Sequence, residues 1–266
     1  MAPEQALDAL ERSGASAVVL DREAEPQHWE IEFPVLAVEA PSPRSRASAA
    51  MLCSPDREEA KTALEAALET AKRAAQKGAR FLCLWLGELR SMDKEWRFAR
   101  DKFIRGELED RFVQGLLRQR RAEGERAVDA ARRVLDRLAR TAEGEGLTLA
   151  VANARRFTAV PSAWELDLLM KDLRGAPIAP LFDVPAAHLP HVMGFYPLEL
   201  TQATFGSAPL VYWGDACGPI CGLVPGQGEL ELANIKTADN AERVFSPWSG
   251  LTLEEVFSAV SKSRRP

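Results

Sequence analysis

The sequence predicts an α/β fold: a parallel sheet whose strands are joined by crossover helices. Three observations carry this expectation. Strand-like apolar runs alternate with amphipathic helical runs along the whole chain, with no internal repeat and no low-complexity linker. Seven runs have the length and β-branched or aromatic content of buried strands. A chain of 266 residues, 46 % hydrophobic, has enough apolar material for one full core, read as a single domain over 1–266.

The elements follow in order. Residues 6–13 read as a first helix, and 17–21 and 33–40 as short strands, with Pro41 and Pro43 opening a loop. Residues 57–77 form a long helix with Leu64, Leu68, Ala71 and Ala75 on one face, ended by Gly78 at the position past the C-cap. A strand at 81–86 follows. The stretch 93–143 is helical apart from a break near Gly106; Val128, Ala131, Leu135 and Leu138 form its stripe, and Gly144 and Gly146 stop it. Next come a strand at 147–152, a helix at 162–173 with Ser162 and Glu165 as a capping box, and a strand at 178–184. Pro190 disfavours a regular helix, so a short helical piece is expected at about 191–200, before a strand at 209–213. A glycine loop, a weak helix near 230–236, a strand at 243–246 and a helix at 252–261 close the chain.

Composition narrows the classes of function. The net charge is −5, and the basic residues between 90 and 140 are interleaved with acids at helical spacing, the pattern of a solvated helix rather than a nucleic-acid surface. The longest apolar stretch, 81–87, is too short to cross a bilayer, and the acidic amphipathic start is unlike a secretory leader, so a cytoplasmic address is expected. Cys53, Cys83, Cys217 and Cys221 are scattered, and Cys217 and Cys221, expected in the loop after the strand at 209–213, lack the spacing of a redox pair; all four are expected as reduced thiols.

Three segments carry chemistry. They are 147–153 (LTLAVAN), 180–188 (PLFDVPAAH) and 210–215 (LVYWGD), the last followed by Pro225-Gly226-Gln227-Gly228-Glu229. Together they resemble the xylose-isomerase-like TIM-barrel family of sugar (phosphate) isomerases and epimerases, whose strand ends read "laiEN", "DxGH" and "vHlkD", followed by a "pGeG" loop. The resemblance implies a TIM-type barrel with its site at the C-terminal ends of the strands. It also implies a divalent metal (Mn, Zn or Mg) held by two Glu, an Asp and a His, with the glutamates exchanging a proton. The chain departs from that pattern. Ala152 stands at the glutamate position, Ala186 and Tyr212 stand at the two histidine positions, and 245–248 offers no second glutamate. The family's first strand is also missing, so the barrel is expected to lack or replace it, and its end strands would have unpaired N–H and C=O groups. Either those edges close on each other under strain, the segment 29–33 fills in, or a partner protein or a second copy of this chain covers them.

Residues at the strand ends are the candidates. Asp183, Glu88 and Glu39 are the candidate acid/base groups. Asn153, Arg155, Trp85, Trp213, Asp215, Gly226 and Gly228 are the candidate ligand-binding residues, and Asp183 and Asp215 are the positions that match the family's metal-site aspartates. Asp21, Glu23, Cys217, Ser246 and Trp248 also fall at the rim, while His28 has no context and His188 and His191 are separated by Pro190. The expected function is a degenerate isomerase-like barrel, without a cofactor, that binds a small molecule or a protein. The alternative is an active isomerase, epimerase or lyase with a remodelled metal site or a metal-free acid/base pair.

Overall fold

The structure is a computed structural model that describes residues 16–21, 30, 32–41, 50–153 and 155–245. The helices expected at 6–13 and 252–261, and His28, Glu23, Ser246 and Trp248, lie outside the described residues.

The strands are β1 (Val18–Asp21), β2 (Val35–Glu39), β3 (Phe81–Leu84), β4 (Gly87–Glu88), β5 (Thr148–Ala152), β6 (Ala159–Val160), β7 (Ile178–Asp183), β8 (Leu210–Trp213), β9 (Asp215–Cys217), β10 (Ile220–Leu223) and β11 (Glu242–Phe245). The helices are α1 (Arg57–Gln76), α2 (Asp93–Ile104), α3 (Asp110–Gly144), α4 (Ala163–Asp172), α5 (Val184–Val192) and α6 (Leu198–Phe205). Seven strands form one sheet in the order β1-β2-β3-β5-β7-β8-β11, every neighbouring pair parallel.

Alternation along the strands builds two cores. Outward residues such as Leu82, Leu84, Leu149, Val151, Phe182 and Val211 pack under the helices. Inward residues Ala37, Phe81, Cys83, Trp85, Ala150, Ala152, Leu181, Leu210 and Tyr212 form a separate inner cluster. Val19 of β1 and Val244 of β11, from the two ends of the sheet order, pack against that same cluster. The sheet therefore curls into a nearly closed parallel barrel with its helices outside, as a TIM-type fold requires.

Local chemistry explains the element ends. Asp56 caps α1, its side chain accepting from Glu58 N and Glu59 N, and Gly78, at φ +69°, takes the left-handed backbone that terminates it. Ser162 and Glu165 form the expected capping box on α4. Two expectations are corrected. Pro190 lies inside α5, because the helix is already nucleated by Asp183, which caps Ala186 N, and by Pro185 in its first turn; the piece expected at 191–200 is instead the end of α5 and the start of α6. The stretch around Cys217 and Cys221, expected as loop, is the antiparallel hairpin β9–β10. A second short antiparallel pair joins β4 to β6, which are far apart in sequence.

Candidate functional site

Strand alternation aims Glu39, Cys83, Trp85, Ala152, Asp183 and Tyr212 at or near the C-terminal end of the barrel interior. Tyr212 is 1 % exposed, and its hydroxyl donates to Glu39 Oε1 at 2.8 Å and approaches Cys83 Sγ at 3.6 Å. Trp85 tilts against the Tyr212 ring at a centroid distance of 5.8 Å. Ala37, Ala150 and Ala152 line the same cluster, and the small side chains leave room for these two large rings. A carboxylate, a phenol and an indole thus meet in one partly apolar mouth.

Asp183 and Asp215 are placed differently. Asp183 is buried, caps α5 through Oδ1 to Ala186 N at 3.1 Å, and is clamped at its backbone by Asn153. Asn153 Nδ2 donates to Asp183 O at 2.9 Å, and its Oδ1 accepts from Asp183 N at 2.7 Å. Asp215 is fully buried. Its Oδ1 accepts from Ala216 N at 2.8 Å and Leu230 N at 3.0 Å, and its Oδ2 from Gly226 N and Gly228 N, each at 2.9 Å. Four donors fill a carboxylate's acceptor capacity. A Cβ at Gly228 would collide with Ala216 O and Asp215 Oδ1, so the turn needs glycine there.

The rim is held by ion pairs. Arg156 Nη1 lies 3.1 Å from both Glu88 carboxylate oxygens and 3.4 Å from Asp93 Oδ1. Arg155, half-buried, sits beside it on the same loop. Beneath that loop, Arg120 of α3 and Glu165 of α4 form a buried pair. Arg120 donates through Nε to Phe157 O at 2.8 Å, through Nη2 to Ala159 O and Glu165 Oε2, each at 2.6 Å, and through Nη1 to Glu165 Oε1. Burial acts to lower the Arg120 pKa, but the Glu165 hydrogen bonds and the surrounding charges of Tyr196, Glu165 and Cys53 together raise it, so the guanidinium stays charged. A cleft of about 530 Å³ opens beside the rim, lined by Cys53, Glu59, Glu88, Arg90 and Glu123 among others. Burial pushes the Cys53 thiol up to about 12, so it is no nucleophile at neutral pH.

Other candidates fall away from the mouth. Trp213 alternates outward from Tyr212, packs on the outer core and lies under the Arg243 guanidinium at 4.8 Å. Cys217 pairs with Ile220 and Cys221 with Ala216, so the two thiols point to opposite faces of the hairpin. His188 is buried and its Nε2 meets Glu229 Oε1 at 2.7 Å, where Gly218 N also donates at 2.8 Å. The Gly218 N–H first, and then His188, hold the Glu229 carboxyl below the usual range.

A divalent ion fits this donor set poorly. Ala152, Ala186 and Tyr212 stand where the resembled family has Glu and His ligands; Asp183 keeps its aspartate but caps α5; the Asp215 oxygens are filled by backbone N–H groups; and among the described residues no cluster of three or more His, Cys, Asp or Glu has metal-binding geometry.

No protein-family profile and no curated relative matches the sequence. Solved structures do match the fold. A zinc-bound IOLI protein aligns with a TM-score of 0.66 at 14 % identity, over 98 % of this chain and 90 % of that one. A xylose isomerase domain protein from Planctomyces limnophilus aligns at 0.64 and 12 % identity, over 97 % and 89 %, and an L-ribulose 3-epimerase at 0.61 and 13 %, over 99 % and 82 %. This chain has the xylose-isomerase-like TIM-barrel fold. At these identities the likeness establishes architecture alone. Glu39, Trp85, Asn153 and Asp183 lie at the C-terminal ends of β2, β3, β5 and β7 or just beyond them. Among the described residues its barrel sheet has seven strands. No described helix is long and apolar enough to cross a membrane.

Sequence reasoning missed three groupings: Tyr212 with Glu39, Arg120 with Glu165, and His188 with Glu229. The sequence singles out some of their members, Glu39 as an acid/base candidate, Tyr212 at a lost histidine position, Glu165 in a capping box and Glu229 at the end of the glycine motif, but nothing in it pairs them.

Proposed function

We propose that this chain is an isomerase/epimerase-like barrel that has given up metal-assisted proton transfer and serves as a small-molecule-binding module whose mouth takes a hydroxylated ligand. The observation that carries this reading is the Glu39–Tyr212 hydrogen bond against Trp85, in place of a ligand set for a divalent ion. A carboxylate and a phenol accept from and donate to vicinal hydroxyls, and an indole packs against the C–H face of a sugar ring. The test is calorimetric titration of the purified chain with D-xylose, D-fructose and myo-inositol, with and without EDTA. Saturable binding that EDTA leaves unchanged is the expected result; binding abolished by EDTA, or none at all, would refute the reading.

The Glu39–Tyr212 contact also favours a second reading, a metal-free isomerase in which Glu39 takes the proton beside a carbonyl and Tyr212 donates to the carbonyl oxygen. Exchange of that carbon-bound hydrogen with deuterium from solvent, followed by NMR and lost in Glu39→Gln, would establish it. The end strands β1 and β11 each have one hydrogen-bonded neighbour among the described residues, which supports a protein partner or a second copy at that edge. Light scattering of the purified chain tests the second copy.

A further inference from the structure

We infer that the glycine loop after β9–β10 is an anion-binding nest already filled by the chain's own Asp215 carboxylate, and that the ligand of the mouth is therefore an uncharged polyol or sugar rather than a phosphorylated one. The second half rests on the binding reading proposed above. Successive backbone N–H groups that converge on one point make a concavity suited to phosphate or carboxylate. Here Gly226 N, Gly228 N and Leu230 N, together with Ala216 N, converge within 2.8–3.0 Å on the two oxygens of Asp215. Asp215 is 0 % exposed, and the Gly228 Cα hydrogens face it where any side chain would collide. The nest leaves no donor of these four for a ligand phosphate.

The charges around it act in the same direction. Glu229, next on the loop, is held as a carboxylate by Gly218 N–H and His188. Glu39 lines the mouth itself, and the Arg156 guanidinium is already engaged by Glu88 and Asp93. A phosphate dianion beside the loop would thus meet the Glu39 and Glu229 carboxylates and none of the four nest N–H groups, which discriminates by repulsion against esters of a sugar that binds in its free form.

Two measurements test the inference on the full chain. In the first, thermal unfolding of Asp215→Ala is followed in inorganic phosphate and in chloride at matched ionic strength. Phosphate is expected to restore several degrees of the melting temperature lost in the variant, and to leave the wild-type protein unmoved. Equal shifts in both, or none in the variant, would overturn the nest. Asp215→Asn, which keeps one acceptor oxygen, serves if the alanine variant does not fold, with a smaller rescue expected. In the second, the wild-type protein is titrated with D-xylose, D-fructose and myo-inositol and with their monophosphate esters. The esters are expected to bind about tenfold or more weakly than the free compounds. Esters that bind as tightly or tighter would overturn the inference and leave the binding reading standing. If neither series binds, the binding reading itself fails and the ligand assignment falls with it, whereas the phosphate rescue still decides the nest.

Discussion

The two sides of the barrel mouth spend their carboxylates in different ways. On the β7–β8 side, Asp183 and Asp215 accept from backbone N–H groups, at Ala186 and at Ala216, Gly226, Gly228 and Leu230. On the β2–β4 side, Glu39 and Glu88 accept from side chains, Tyr212 and Arg156. A carboxylate bound by backbone is part of the scaffold, since moving it leaves buried N–H groups without acceptors. One bound by a side chain can exchange that partner for a ligand hydroxyl without dismantling a backbone turn, provided the ligand also satisfies the displaced donor, such as the buried Tyr212 hydroxyl. On the binding reading proposed above, Asp183 and Asp215 serve as architecture and the ligand-responsive groups are Glu39 and Tyr212 across the mouth.

The sharpest way to break this comparison is Asp215→Ala. Four N–H groups lose a buried acceptor, and stability should fall by about 3–5 kcal/mol in urea unfolding; a loss below about 1 kcal/mol would put Asp215 on the responsive side. Asn153→Ala should cost about 2 kcal/mol, because the Asp183 N–H and C=O both lose their partner. Tyr212→Phe removes one hydrogen bond from a ring that stays packed, so unfolding should shift by only about 1 kcal/mol while ligand affinity falls. A large stability loss with unchanged affinity would reverse the assignment of the two sides.

The smallest effect is in acid. Glu229 has a depressed pKa in the folded chain, so its contribution is fully present above the ordinary glutamate value of 4.5 and is lost as pH falls through the lower folded value. Glu229→Gln should therefore flatten the acid end of a stability-against-pH curve. A steeper acid loss in the variant would contradict the hydrogen bonds assigned to Gly218 and His188.

Much of the fold was legible because periodicity is local. The strands, the α1 cap at Asp56 and Gly78, and the Ser162–Glu165 box each depend on residues a few positions apart. The antiparallel pairs β4–β6 and β9–β10 were not legible, because pairs this short form only where tertiary contacts place them. The site was legible as a set of positions and illegible as contacts. Glu39 and Tyr212 are 173 residues apart, and Arg120 and Glu165 are 45 apart on helices whose charges looked solvated. Trp213 was expected at the mouth beside a strand-end aspartate, yet Tyr212 faces inward, and the two-residue period of a strand sends its neighbour out.

The central claim, that the mouth has exchanged a metal site for a metal-free binding site, is tested most directly by zinc and manganese titration of the chelator-treated chain, with Asp183→Ala alongside. The account predicts no saturable binding at the mouth and identical titrations for the two proteins. One equivalent bound by the wild type and lost in the variant would contradict it.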